Sequence, residues 1–168
     1  MTTRTVSTVY GDAETANRAV EALLQAGHPP EAISLLTDSD TKETLFPGDR
    51  QEVEKGTGWG ALFGALIGSG VMISLLPIPG GIFVSGPLGA ILTATATGAL
   101  GGGLIGSLVG LGVPREKAML YERRLREGGV AVAVDTETKD EADEADALLC
   151  RVGSAASRQT LVVTKPRP

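Results

Sequence analysis

Between Lys55 and Arg115 the chain runs for 59 positions without one Asp, Glu, Lys or Arg. The same interval holds 17 of the 23 glycines. An apolar stretch of that length associates when left in water, so protein or lipid has to cover it. All the formal charge, net -5, is confined to the flanks. Composition therefore divides the chain into residues 1–55, 56–112 and 113–168.

Inside the apolar interval, Gly56, Gly60, Gly64 and Gly68 recur at every fourth position, and Gly98, Gly102, Gly106 and Gly110 repeat that spacing. On a helix each set forms one narrow stripe without side chains. Such stripes let two backbones approach closely, the basis of small-residue helix packing in membranes. Residues 77–81 (PIPGG) break the helix between the two sets, and Pro87 suits a helix start. Residues 82–86 read either as a re-entrant turn or as an early helical turn. The spacing thus predicts helices over 56–76 and about 88–112, closed into a glycine-zipper hairpin. A bilayer core of about 30 Å needs about 20 apolar residues, which both segments supply. Arg50 and Lys55 before the hairpin, with Arg115 and Lys117 after it, would hold the flanks on the cytoplasmic side of a membrane. The alternatives are a soluble, cytoplasmic homo-oligomeric scaffold or ligand-sensing protein whose glycine-rich hairpins form its core, and reversible membrane association.

The flanks repeat one plan. Residues 4–10 read as a strand, Asp12 as the cap of a helix over 13–26, Gly27 as its stop, and 32–37 as a second strand. After the insert, 129–135 form a strand too apolar for an edge. Thr138 and Glu141 have capping-box spacing, Gly153 stops a helix, and 160–164 give a last strand. At an offset of 126, Ala16 matches Ala142, Ala19 matches Ala145, Leu23 matches Leu149, Gly27 matches Gly153 and Leu35 matches Leu161. Two repeated β-α-β halves predict an α+β, ferredoxin-like sheet of four strands with two helices on one face. The hairpin interrupts the halves between the second and third strands. Pro114 opens a further helix over 115–127, with Ala118, Tyr121 and Leu125 on one face, which couples the insert to the sheet and covers its open side. Residues 38–55 form the opposite coupling segment, with a short helix from Asp49.

The polar residues point to no chemistry. His28, the one histidine, sits beside Gly27 and Pro29 as a turn residue, and Cys150, the one cysteine, reads as structural. Residues 101–106 (GGGLIG) follow a helix-like run, not a strand, and carry no Gly-Lys-Ser/Thr ending, which excludes a phosphate loop. The acidic series from Asp135 to Asp146 fits a solvated helix start better than a calcium loop. The acidic balance, without a basic aromatic-studded face, excludes nucleic acid. No catalytic, metal or cofactor residue is expected, and the chain reads as a non-enzyme. Its N-terminus lacks the basic-then-apolar pattern of a secretory signal.

Residues 9–12 (VYGD) with Ala16, Ala19, Leu23 and Gly27, then residues 30–34 (PEAIS), resemble the general stress protein 17M-like (YflT-type) domain. The glycine zipper followed by residues 110–116 (GLGVPRE), Tyr121 and residues 128–134 (GGVAVAV) is similar to bacterial stress-induced membrane proteins containing that domain. The likeness covers about residues 1–135. It implies a noncatalytic, stress-associated membrane accessory protein with no catalytic residues to carry over. Its zipper would drive self-association, and its sheet would recognise a protein partner or small ligand.

Overall fold

The computed structural model describes residues 2–38, 76–78, 81–96, 103–153 and 159–166. The described strands are β1 (Thr2–Tyr10), β2 (Ile33–Asp38), β3 (Leu76–Ile78), β4 (Ile82–Val84), β5 (Val130–Thr136) and β6 (Gln159–Pro166). The described helices are α1 (Ala13–Gln25), α2 (Pro87–Ala96), α3 (Gly103–Gly110), α4 (Arg115–Arg126) and α5 (Lys139–Val152). In β5 valine alternates with alanine and every residue except Asp135 is buried. A strand covered on both faces belongs inside a sheet. β5 accordingly lies between β2 and β1 in the order β3-β4-β2-β5-β1-β6, with every pairing antiparallel.

Register gives each face its character. Ile33, Val134 and Val6 stand in one row across β2, β5 and β1. They belong to a core that also takes Ala16, Ala19 and Leu23 of α1 and Ala142, Ala145 and Leu149 of α5. The paired alanines let the two helices lie side by side over this face. Asp12 caps α1, accepting from the Thr15 N–H at 2.7 Å. Thr138 and Glu141 close a reciprocal capping box on α5. At the other end of α1, Gly27 (φ 92°) donates to the Leu24 carbonyl and His28 to that of Leu23, a Schellman stop.

The opposite face is covered as well. Val9, Leu36, Ala131, Ala133, Ile82 and Val84 of the sheet meet Leu88 and Leu92 of α2, Leu104 and Leu108 of α3, and Ala118, Tyr121 and Leu125 of α4. Along one row here stand Ser34, Ala133 and Ser7, all small. The flanking serines each hold a helix. Ser34 Oγ accepts from the Leu88 N–H at 3.1 Å, and Ser7 Oγ shares a buried hydrogen bond with the Tyr121 hydroxyl. The result is a three-layer α-β-α arrangement, with the coupling helix over the second face.

This arrangement corrects the expected interruption of a four-stranded ferredoxin-like sheet by a hydrophobic helical hairpin. Residues 76–78, read as the last residue of one span and the start of the breaking turn, and 82–84, read as a re-entrant turn or an early helical turn, are β-strands that extend the sheet to six. The second span is represented by α2 and α3, of 10 and 8 residues. Among the described residues no helix is long and apolar enough to cross a membrane. The buried leucines of α2 and α3 already serve the second core, so they are not available to lipid. Asp38 of β2 pairs with Ile82 of β4, so the chain leaves and re-enters one sheet between them. Of the first expected span, residues 56–76, only Leu76 is among the described residues, and it belongs to β3. The expected membrane insertion, zipper association within a membrane and placement at the cytoplasmic membrane are corrected with it. The short helix expected from Asp49 lies outside the described residues.

Candidate functional site

Of the eight glycines expected to pack helices, Gly56, Gly60, Gly64, Gly68, Gly98 and Gly102 lie outside the described residues. Gly106 and Gly110 are both on α3, Gly106 half-buried and Gly110 exposed. Their helix ends in a second Schellman stop, with Gly112 donating to Val109 and Val113 to Leu108. α4 starts two residues later, so α3 and α4 meet as neighbours along the second face.

A groove of about 670 Å³ follows their junction, with Ile105, Met119 and Leu120 as its apolar lining. Among the described residues the exposed large hydrophobics are Val109 (41%) and Met119 (51%). Val109 stands one turn beyond Ile105, on the same stripe of α3. Glu116, Glu122, Arg123, Arg126 and Glu127 complete the lining. Arg126 donates to Glu122 Oε1 through Nη2 at 2.8 Å and Nε at 3.0 Å. Arg123 and Glu127 stand 3.9 Å apart with both side chains mostly exposed. One pair is held along the helix, whereas the other is a loose surface contact of little energetic weight.

Sequence periodicity assigned Ala118, Tyr121 and Leu125 to the buried face of α4, and they are buried. Met119 lies outside that triplet. The signal for it was available: Met119 is out of phase with the buried triplet and has Arg115, Glu116, Glu122 and Arg123 three and four positions away along the helix. What the sequence did not contain was the position of Ile105 beside it.

A second cleft, of about 460 Å³, lies where the end of α1 faces the start of α5. His28, Asp135, Glu137, Glu141 and Glu144 are among its lining residues. Two of those carboxylates are already engaged. Glu141 Oε2 accepts from the Glu137 and Thr138 N–H groups at 3.0 and 3.4 Å, and Asp135 Oδ1 accepts from the Thr5 hydroxyl at 2.5 Å. Among the described residues no group of His, Cys, Asp and Glu is arranged to hold a metal ion. Cys150 is half-buried on α5, 3.8 Å from Asp146 Oδ1.

No family model, no curated protein and no solved structure matches the chain. The resemblance to the general stress protein 17M-like domain and its membrane-bound relatives is corrected accordingly. The segments that carried it have local structural roles in this chain. Residues 9–12 end a strand and cap a helix, residues 110–116 join two helices through a glycine stop, and residues 128–134 pass from a glycine stop into a buried strand.

Proposed function

We propose that this protein is a noncatalytic scaffold that associates with itself through the α3–α4 groove. The carrying observation is the placement of the exposed Met119 and Val109 on adjoining helices, around the apolar lining of Ile105 and Leu120. Exposed apolar side chains mixed with charged ones on one surface suit a non-obligate protein interface, which is about as apolar as the rest of a protein surface. The lining also favours an aqueous partner over lipid, since five of its eight residues are charged. Stress-related membrane anchoring has no part in this reading. The noncatalytic part is supported by the commitments of Asp12, Thr138 and Glu141 to helix caps, of Ser85 to strand pairing and of Ser7 and Ser34 to helix docking.

Sedimentation velocity of the untagged full chain in detergent-free buffer tests the proposal. A concentration-dependent oligomer is expected, and Met119→Glu should shift it to monomer while leaving the circular dichroism spectrum unchanged, because Met119 is half in solvent. A wild-type chain that stays monomeric up to hundreds of micromolar overturns the scaffold reading.

A further inference from the structure

We infer that the occupant of the groove is a second copy of this chain, with α4 lying antiparallel to the α4 of the partner about a two-fold axis between Met119 and Leu120. The inference rests on the scaffold reading and adds its partner and register. Glu116, Met119, Leu120 and Arg123 all line the groove. Their spacing of three and four residues places them on one helical stripe. Read along that stripe, the order is acid, apolar, apolar, base.

A two-fold interface brings one surface against an identical copy, so the surface must complement itself. This stripe does so when reversed. With the axis between residues 119 and 120, Met119 meets Leu120 of the partner subunit, and Glu116 meets Arg123 of the partner subunit. Two ion pairs then bracket one apolar centre. Ile105 and Val109 widen that centre on each side, and antiparallel helices set opposite ends of their dipoles together. Among the described residues Arg123 has a 3.9 Å contact with an exposed Glu127 to exchange, whereas the 2.8 Å pair of Arg126 with Glu122 stays within its helix. An unrelated partner would have to supply the mirrored acid-to-base order by chance; a second copy carries it by construction.

The test uses the full chain at low ionic strength with Glu116→Arg and Arg123→Glu, each measured by sedimentation equilibrium alone and then as an equimolar mixture. Each variant alone sets like charges opposite each other, so its dimer should dissociate about tenfold more readily or worse. In the mixture every cross-pair is opposite in charge, and heterodimers should recover wild-type affinity. A purely structural role for either residue would show no such recovery. A wild-type dimer that both reversals leave intact, or reversals that mixing does not rescue, overturns this register while the scaffold reading survives on the Met119→Glu result. A wild-type chain that remains monomeric overturns both.

Discussion

Tyr121 connects the sheet to the helix that covers its second face. It is 1% exposed, and its hydroxyl shares a hydrogen bond with Ser7, itself buried. Burial pushes its pKa well above the ordinary tyrosine range, and the Ser7 bond offsets part of that rise. The unfolded chain therefore ionises first, near pH 10, so the contribution is complete below that pH and is lost as pH rises beyond it. Tyr121→Phe should cost about 1–3 kcal/mol near neutrality, because Ser7 Oγ is left buried without this partner. Urea melts from about pH 8 to about pH 11 should show a shallower alkaline loss in the variant than in the wild type. Glycines at this scale show how far a residue type can be read. Gly27 and Gly153 align in the two halves, yet their reasons differ. Gly27 has φ 92° in open space, whereas a Cβ on Gly153 would stand 2.8 Å from the Tyr10 ring. Spacing located both glycines; only the neighbouring ring explains the second.

The elements legible in the sequence were those with a period and a punctuation mark. α1, α4, α5 and the four long strands all begin and end within a few residues of the expected positions. The capping box at Thr138 and the start of α2 at Pro87 are equally local in origin. β3 and β4 were not legible, because a short apolar run beside Pro and Gly has no period to separate a strand from part of a helix. What makes β4 a strand is β2: the Ser85 N–H donates to the Leu35 carbonyl at 2.8 Å, and the Leu35 N–H donates to Ser85 Oγ at 3.2 Å. Gly86 then turns the chain into α2 with φ 78°, and a Cβ there would stand 2.5 Å from the Ile33 carbonyl oxygen. Gly86→Ala should cost about 1–3 kcal/mol through backbone strain and displacement of β2. Thermal melts measure the cost, and faster amide exchange across 82–92 should locate it. An unchanged melt would mean that this junction is not tight.

At the scale of the molecule, the two faces of the sheet predict similar sensitivity to truncation. Leu23 serves the α1–α5 core, and Leu104 and Leu108 serve the other. Leu104→Ala and Leu108→Ala should each cost about 2–5 kcal/mol in detergent-free urea melts, in the range of Leu23→Ala. Negligible losses at Leu104 and Leu108 would show that the second layer is not part of the cooperative core. The sequence by itself determined the charge-free interval, the repeated β-α-β halves, the capped helices and the requirement that the apolar interval be covered. Those properties reside in residue type and spacing, which act over a few turns of chain. Tertiary structure alone decided what covers what. A glycine stripe and a leucine face have the same period whether they meet lipid, another copy or the same chain's own sheet. The choice fell to the small row of Ser34, Ala133 and Ser7, drawn from three distant strands, which gives α2 and α4 their docking points. With that face occupied, α2 and α3 are core helices, and the outward side of α3 and α4 is left to Val109 and Met119.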